Sequence, residues 1–221
     1  EGELVGRDIS NWSEHPLGRF WVTNLCNAAR LHIVHKYGGM YLDLDFFALK
    51  DPRHLPNGFG YQGKSSANGA AILIREPGFP WLKQVQSDFT RNYNGNMWGN
   101  NGPLLMSRTL PLCNATINCK LDIWPKDAVY TFSYTDFQDY GFENFAKLPE
   151  KITSRYKLAL TNSILMHFWN KVIIEKEKRL MERIVHLPYE ERIREFNSTL
   201  YGNMFFHTCP TLAYKTFGSI S

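Results

Sequence analysis

The segment GGMYLDLDFFALKD, residues 38–51, places two aspartates one residue apart after a short apolar run. Residues 40–42 are too few for a helix and favour a buried strand that ends at the aspartates. In an extended chain, residues i and i+2 point to the same face, so Asp43 and Asp45 can converge on one hard cation. Oxygen ligands suit Mg²⁺ or Mn²⁺, which commonly also bind substrate phosphates, so we expect a diphosphate-bearing substrate.

Two other interpretations of the aspartate pair stay open. An Asp-x-Asp triplet can arise by chance in a solvated turn, but Phe46 and Phe47 follow it directly. Charges enclosed by hydrophobic residues are costly unless they bind something. A phosphatase of the haloacid-dehalogenase type also uses Asp-x-Asp after a strand, but that family has Thr or Val where this chain has Phe47. We keep the phosphatase as the weaker alternative.

The rest of the chain alternates predicted helices and strands. A helix is predicted over residues 19–37 from the spacing of Val22, Leu25, Ala28 and Ala29, with Gly38 as a left-handed cap. Beyond the aspartates, we predict a polar turn at 65–69, a buried strand at 70–74, a helix at 80–93, a loop at 98–103, a helix from Leu104, short strands or loops over 123–145, a strand at 163–168 and a charged helix from Val172. This alternation indicates an α/β fold with a largely parallel sheet.

Length and composition favour one globular domain. The chain has 221 residues, of which 43% are hydrophobic, and its net charge of +4 is scattered, which argues little for a nucleic-acid partner. No apolar stretch reaches the roughly 18–20 residues of a membrane-spanning helix. Because the chain begins at Glu1, we expect it to be a piece of a longer protein, with any targeting segment outside it.

Three glycosylation sequons indicate a secretory protein, and they begin at Asn11, Asn114 and Asn197. Cys113 and Cys119 bracket the second sequon, a pattern that favours a small disulfide-closed loop without deciding it. The two other cysteines, Cys26 and Cys209, have no evident pairing, and the helical pattern around Cys26 indicates a buried small side chain.

The aspartate segment resembles the DXD segment of the α1,4-glycosyltransferases similar to lactosylceramide 4-α-galactosyltransferase. The resemblance covers nearly the whole chain, and its pieces fall in the order of the family. These pieces are CNAAR at 26–30, NGA at 68–70, YNG at 93–95, WGNNGP at 98–103, the cysteines Cys113 and Cys119, HFWNK at 167–171 and CPT at 209–211.

The resemblance implies a retaining glycosyltransferase of the GT-A type. We expect a mixed, mostly parallel sheet flanked by helices, Mn²⁺ or Mg²⁺ as cofactor, and a UDP-sugar as donor. The acceptor would be a glycolipid or glycan, and the linkage α1,4. The full-length protein would be a type II membrane protein of the Golgi lumen. We expect residues 1–221 to form a single catalytic domain that lacks the N-terminal nucleotide-binding strands, the stem and the membrane anchor.

The same resemblance assigns roles near the metal. Asp45 is expected to bind the metal directly, and Asp43 to bind the metal, its water or the ribose. His167 is the expected third ligand, although a lone histidine beside Phe168 is more often a packed core residue. Asp136 is expected to bind a sugar hydroxyl. Aromatic residues that could stack on sugars, or simply pack in the core, are Trp98, Tyr134 and Trp169.

A second group of residues is expected to bind the donor. Arg30 could pair with a phosphate or an aspartate, or it could be a surface residue. Gly69 would let the backbone approach the donor sugar, unless its segment is only a turn. The full set of expected donor and pocket residues is Asn27, Arg30, Asn68, Gly69, Ala70, Asn101, Gly102 and Pro103.

Three departures from the family keep a second function open. The family usually has Asp at the position of Asn27 and Gln at that of Asn101, and its segment between Lys171 and Cys209 is shorter. The expected function is transfer of hexose or N-acetylhexosamine from a UDP-sugar, with UDP-galactose ahead of UDP-N-acetylhexosamine. The alternative is a catalytically inactive sugar-binding relative with the same fold.

Overall fold

The computed structural model describes residues 15–63 and 66–218, which form two compact units. Within the described residues, the first unit consists of 15–42, 55–63 and 66–124, and the second consists of 43–54 and 125–218. The predicted sequon at Asn11 and the start of the predicted turn at Ser65 lie outside the described residues. Whether the units make one catalytic domain stays a prediction.

Strands and helices alternate through most of the described chain. The strands are β1 (Gly39–Leu42), β2 (Phe46–Ala48), β3 (Gly58–Tyr61), β4 (Ala67–Ile74), β5 (Asp122–Trp124) and β6 (Leu165–His167). The helices are α1 (Trp21–Tyr37), α2 (Pro80–Arg91), α3 (Pro103–Asn114), α4 (Lys126–Val129), α5 (Tyr134–Tyr140), α6 (Glu150–Asn162), α7 (Asn170–Ile184), α8 (Tyr189–Asn197), α9 (Leu200–Thr208) and α10 (Pro210–Gly218). The expected α/β class is confirmed.

The first unit is built on a four-stranded mixed sheet in the order β1-β4-β3-β5. The strand β4 lies inside the sheet because its run of alanines and isoleucines is apolar on both faces. Helices α1 and α3 pack on this sheet, and α2 packs against both helices and contacts the sheet through Trp81. The core includes Phe59, which stacks on Trp81 with ring centroids 5.4 Å apart, together with Ile72, Leu82 and Leu105.

The sheets are mixed, as expected, but they are not mostly parallel. In the described part of the chain, only β3 and β5 pair in parallel, whereas β4 is antiparallel to both β1 and β3, and β2 is antiparallel to β6. The physical reason for the β3–β4 pairing is their short connection, which suits a hairpin and not a parallel crossover. The predicted strand at 40–42 exists, but β1 is an edge strand and is only partly buried.

Helix α1 ends at Gly38, as predicted, but its buried face differs from the predicted one. Asn24 and Asn27 are buried beside Leu31 and Val34, whereas Leu25 is 54% exposed. Cys26 is also exposed, so the expectation that it is buried was wrong. The helix presents its apolar residues on more than one side, and spacing alone could not identify the side that packs on the sheet.

Gly38 has φ 67° and ψ −167°, which is a positive φ but not the left-handed helical cap that we predicted. This region of backbone space is essentially restricted to glycine. A β-carbon at Gly38 would lie 2.3 Å from the backbone oxygen of Arg75, so the residue also lacks room for a side chain. The amide of Gly38 donates to the Val34 carbonyl, which closes the helix.

Two other predicted boundaries were wrong. The strand β4 already begins at Ala67, so Asn68 and Gly69 lie in a strand and not in a turn. The segment 123–145 contains β5 but continues as helices α4 and α5 instead of short strands or loops. Helix α5 forms because Ser133 and Asp136 make a capping box at its first turn. The predicted strand at 163–168, the helix at 80–93 and the charged helix near 172 are confirmed by β6, α2 and α7.

The second unit combines the two-stranded β2–β6 sheet with helices α4 to α10. Its core is rich in aromatic residues, and Phe47 of β2 packs against Phe168, Tyr201 and Phe205 at ring distances of 4.8, 5.5 and 6.3 Å. These contacts anchor β2, and therefore also the aspartate segment that precedes it.

The disulfide favoured by the sequence is present between Cys113 and Cys119. It closes the loop after α3, and the acceptor asparagine of the second sequon, Asn114, is exposed there. Cys26 and Cys209 are free thiols. Among the described residues, no helix combines the length and hydrophobicity that crossing a bilayer would require.

Candidate active site

The two aspartates lie in the short connection between β1 and β2. Asp43 follows the last residue of β1, and Asp45 immediately precedes Phe46, the first residue of β2. Leu44 between them is fully exposed, whereas both carboxylates are partly buried. The chain bends at Leu44 and Asp45 and is not extended there, but the two carboxylates still lie close together, as expected.

The pairing of β2 with β6 brings a histidine to the second aspartate. Phe46 lies opposite His167 in the antiparallel register. The imidazole Nε2 of His167 is 3.0 Å from Oδ1 of Asp45, and the histidine is only 5% exposed. The other ring nitrogen, Nδ1, is buried and has no hydrogen-bond partner among the described residues. The imidazole is therefore held at the carboxylate through Nε2.

Two backbone amides that follow His167 in the chain also donate hydrogen bonds to Asp45. The amide of Asn170 donates to Oδ2 of Asp45 at 3.0 Å, and the amide of Phe168 donates to its backbone oxygen at 3.0 Å. Burial alone would raise the pKa of Asp45, but the hydrogen bonds from His167 and Asn170 outweigh burial and lower it. Asp45 is thus a fixed, ionised carboxylate at neutral pH.

Asp43, Asp45 and His167, the three residues that are expected to bind the metal, lie close together. One ligand atom from each of the three side chains lies within 4.8 Å of the others. Two carboxylate oxygens and one imidazole nitrogen fit a divalent cation such as Mn²⁺, which accepts both oxygen and nitrogen ligands. The donor set therefore fits the cofactor that the resemblance implies.

Aromatic rings surround the imidazole of His167. The ring centroids of Phe46 and Trp169 lie 4.6 and 4.2 Å from it, and that of Tyr130 lies 5.8 Å away. The Trp169 indole N–H donates to the backbone oxygen of Phe132 at 3.1 Å. These contacts restrict rotation of the imidazole and exclude water from one side of the group, which strengthens its electrostatic interactions.

Among the described residues, the hydrogen bonds and the ion pair of the Asp136 carboxylate are with Ser133 and Arg155, and not with the three candidate metal ligands. Asp136 is buried in the first turn of α5, where its carboxylate accepts from the amide and hydroxyl of Ser133. It also forms an ion pair with Arg155. These partners account for the burial of Asp136, which forms a capping box with Ser133 at the start of α5. The expected contact of Asp136 with a sugar hydroxyl stays a prediction. The predicted aromatic Tyr134 is half exposed, with its ring 6.5 Å from that of Trp169.

The expected donor-binding residues lie in the first unit, and two contacts connect some of them. Arg30 donates through Nη1 to the backbone oxygen of Gly69 at 2.8 Å, and its guanidinium lies 4.8 Å from the centre of the Tyr41 ring. A β-carbon at Gly69 would lie 3.1 Å from the Met106 sulfur, so this strand position is tightly packed. The Asn68 side chain accepts from the Ala70 amide and donates to Gln62.

The second contact joins Asn27 to Gly102. A β-carbon at Gly102 would lie 2.6 Å from Nδ2 of Asn27, so a side chain at this position would require the buried Asn27 amide to move. The adjacent Asn101 is fully buried; its side chain accepts from the Asn94 amide and donates to the Asn94 carbonyl. These asparagines organise the predicted loop, and Pro103 begins α3 instead of ending the loop. The predicted aromatic residue Trp98 is exposed in the same loop.

Sequence reasoning missed two contributors to the site. In the sequence Phe46 stands out only as a hydrophobic neighbour of the aspartates, although its register opposite His167 positions the imidazole. Asn170 acts through its backbone amide, which no side-chain pattern reveals. The sequence signal for Asn170 is its place at the start of a predicted helix that follows a short strand. The first amides of a helix have no acceptor within the helix and need an external one.

Comparison with known proteins identifies the class. The alpha 1,4-glycosyltransferase conserved region matches residues 74–216, and the glycosyltransferase sugar-binding region containing the DXD motif matches residues 7–62. The chain therefore belongs to the α1,4-glycosyltransferase family. Together with the mixed α/β architecture, these matches are consistent with a GT-A-like fold and confirm the resemblance. No solved structure matches the chain.

Individual relatives agree with this assignment. The chain is 31% identical over 175 residues to lactosylceramide 4-alpha-galactosyltransferase of Pan troglodytes, covering 74% of this chain and 47% of that protein. The Mus musculus protein of the same name is 32% identical over 154 residues, covering 66% and 41%. Alpha-1,4-N-acetylglucosaminyltransferase of Homo sapiens is 26% identical over 208 residues, covering 87% and 52%. The chain spans about half the length of these relatives.

Proposed function

We propose that this chain carries the catalytic core of a metal-dependent α1,4-glycosyltransferase that uses a UDP-sugar and a sugar hydroxyl on a glycolipid or glycoprotein. The observation that carries the proposal is the cluster of Asp43, Asp45 and His167, whose ligand atoms lie within 4.8 Å of one another. The family matches support the reaction class.

The proposed site would hold Mn²⁺, or Mg²⁺, through Asp43, Asp45 and His167. When bound, the cation stabilises the negative charge that develops on the departing diphosphate. Asp45 contributes a carboxylate already ionised and fixed by its hydrogen bonds. His167 contributes a nitrogen whose ring is held between Phe46 and Trp169. Coordination through Nε2 would replace the present contact of that nitrogen with Oδ1 of Asp45, while the hydrogen bond from the Asn170 amide would keep Asp45 in place.

We further propose that transfer retains the anomeric configuration by front-face attack. The bond between the anomeric carbon and the acceptor oxygen forms while the bond to the UDP oxygen breaks, and the proton of the acceptor hydroxyl passes to the departing diphosphate. Isolation of a covalent glycosyl-enzyme would contradict this mechanism. Arg30, Asn68 and Gly69 are the proposed donor-binding residues of the first unit.

The relatives leave two donors for the proposal. Galactosyl and N-acetylglucosaminyl transferases both appear among them, so UDP-galactose and UDP-N-acetylglucosamine are the first donors to test. We propose a Golgi location, with the full-length protein as a type II membrane protein. The disulfide and the exposed sequon at Asn114 support the secretory pathway.

A catalytically inactive sugar-binding relative is the second candidate, and one observation favours it. Asn27 stands where the family usually has Asp, and its buried amide packs against Gly102. In this candidate, the neutral Asn27 amide makes a packing contact with Gly102 in place of a contact with the donor. Loss of UDP binding with retained glycan binding would support this candidate. The phosphatase alternative gains no support from the family matches.

The proposal is tested by titrating UDP into the chain by calorimetry, with and without Mn²⁺. We expect binding that requires Mn²⁺ and is lost in Asp45→Ala. The matched control is Asp139→Ala, which removes an exposed carboxylate from the same unit. Equal binding by Asp45→Ala and the unaltered chain would contradict the proposed site, and a screen of donor sugars follows if Asp45 is required.

A further inference from the structure

Trp169 has a backbone conformation that a tryptophan rarely adopts. Its φ of 55° and ψ of 52° lie in the left-handed helical region. Among the described residues other than glycine, only Asn118 shares a positive φ, at 60°. Asparagine tolerates this region, whereas a tryptophan there is strained. Such strain persists only where the surrounding structure imposes it, and it clusters at functional sites.

The left-handed residue reverses the chain between β6 and α7 so that its neighbours on both sides reach one aspartate. Before it, the amide of Phe168 donates to the backbone oxygen of Asp45 at 3.0 Å. After it, the amide of Asn170 donates to Oδ2 of Asp45 at 3.0 Å. An extended or right-handed residue at 169 would direct the Asn170 amide elsewhere.

Helix α7 shows why this contact forms. Trp169 is its N-cap residue and provides no side-chain cap for the first amides of the helix. The carboxylate of Asp45 takes that role from 125 residues away in the sequence. A carboxylate is favoured at this end of a helix because the first amides point toward it and the helix dipole is positive there.

The side chain of Trp169 stabilises the same arrangement. Its indole N–H donates to the Phe132 carbonyl at 3.1 Å, and its ring lies 4.2 Å from that of His167 at an angle of 77°. The edge-to-face contact orients the imidazole whose Nε2 lies 3.0 Å from Asp45. The ring and the backbone of one residue thus act on two of the candidate metal ligands.

We propose that Trp169 is a positioning residue whose left-handed conformation assembles Asp45 and His167 before the divalent cation binds. The inference rests on the proposed metal site but concerns the polypeptide that organises it. The strained conformation of Trp169 then raises the affinity for the cation, in addition to any effect that it has on the stability of the fold.

The test compares Trp169→Gly with Trp169→Ala. Both variants lose the ring, but only glycine adopts the left-handed region without strain. The matched control is Asn118→Gly against Asn118→Ala, at the other positive-φ position, which lies in the disulfide loop. For all four variants and the unaltered chain, we would measure Mn²⁺ affinity by electron paramagnetic resonance of the free ion, and the urea midpoint of unfolding.

We expect Trp169→Ala to bind Mn²⁺ at least about fivefold more weakly than Trp169→Gly, because alanine relaxes out of the left-handed region in the metal-free protein and must return to it when the cation binds. The Asn118 pair should differ in urea midpoint and not in Mn²⁺ affinity. Equal Mn²⁺ affinities for the two Trp169 variants, or no binding by either while both are folded, would overturn the proposal. Failure of the unaltered chain to bind Mn²⁺ would instead contradict the metal site itself.

A second measurement uses the unaltered chain without metal, and it remains informative if the Trp169 variants do not fold or Mn²⁺ does not bind. Hydrogen exchange of the Asn170 amide should be slow, because the amide is already bonded to Asp45. Exchange as fast as in an exposed loop would show that the contact is not formed in advance and would overturn the proposal.

Discussion

Phe46 lies directly opposite His167 in the two-stranded sheet, with their ring centroids 4.6 Å apart. Successive side chains of a strand point to opposite faces, so this register determines the side of β6 from which the imidazole projects. A shift of one residue would turn His167 away from Asp45. The candidate metal site therefore depends on the pairing of two three-residue strands.

Replacement of His167 should weaken cation binding. We expect His167→Ala to lower Mn²⁺ affinity about tenfold or more, because one of three candidate ligands is lost. The control is His186→Ala, which removes an exposed histidine of the same unit. Calorimetric titration with Mn²⁺ alone measures both. Unchanged affinity in His167→Ala would assign the histidine to the core.

Replacement of Asp136 should affect stability more than cation binding. Asp136→Ala removes the capping box with Ser133 and the ion pair with Arg155, and we expect it to lower the free energy of unfolding by about 1–3 kcal/mol. Asp139→Ala, on the exposed side of the same helix, should have little effect. Urea denaturation measures the difference. Full stability combined with loss of sugar transfer would support the predicted sugar contact instead.

Two glycines with similar φ angles should respond differently to alanine. Gly78 has φ 72° and open space where a β-carbon would lie, so Gly78→Ala should lose about 1–2 kcal/mol from backbone strain alone. Gly38→Ala should cost clearly more, because its β-carbon would lie 2.3 Å from the Arg75 oxygen. Thermal and urea unfolding would rank the variants. Equal losses would show that the chain relaxes around Gly38 at no cost.

The ion pair between Asp88 and Arg108 should make stability depend on pH. Burial alone would raise the pKa of Asp88, but hydrogen bonds from Arg108 and Asn92 outweigh it and lower the pKa. As the pH falls, the unfolded chain therefore binds the proton first, and the stabilisation present at neutral pH is lost through the acidic range between the unfolded and folded pKa values.

Asp88→Asn isolates this contribution because it keeps the side-chain shape and removes the titration. We expect the unaltered chain to lose its advantage over Asp88→Asn between neutral pH and the acidic range, as measured by urea unfolding at several pH values. The Arg108 Nε lies 2.7 Å from Asp88 Oδ1, so the pair is formed and not merely nearby. Parallel pH profiles for the two proteins would contradict the assignment.

The disulfide should contribute to the stability of the first unit. Closing a loop between cysteines six residues apart restricts the unfolded chain by about 2 kcal/mol. We expect the double variant Cys113→Ala with Cys119→Ser to lose stability of this order in urea. Cys26→Ser is the matched control, because Cys26 is a free and exposed thiol. A loss as large in Cys26→Ser would indicate that it is not specific to the disulfide.

The local sequence pattern correctly predicted those helices and strands that one strong sequence feature identifies. The glycines around the aspartates, the isoleucine-rich strand β4 and the apolar periodicity of α2 each identified an element correctly. The buried face of α1 was not predictable, because apolar residues occur on several sides and burial of Asn24 and Asn27 depends on partners distant in sequence. Helix α5 was not predicted because its aromatic residues favoured short strands or loops. The helix-start signal is Ser133 followed three residues later by Asp136.

The candidate site was predictable to a similar degree. The aspartate pair follows from spacing, and the resemblance added His167. The left-handed Trp169 was not predictable, since no local signal favours that conformation for tryptophan. Its cause is tertiary: the Asn170 amide has an acceptor only because Asp45 lies beside it.

The 125-residue separation between Asp45 and Asn170 has a consequence for synthesis on the ribosome. At translation rates of about 5–20 residues per second, synthesis of the intervening residues takes about 6–25 s. Only after that interval are His167 and the start of α7 available to the aspartate segment. During that interval the nascent chain exposes Phe46 and Phe47 without β6.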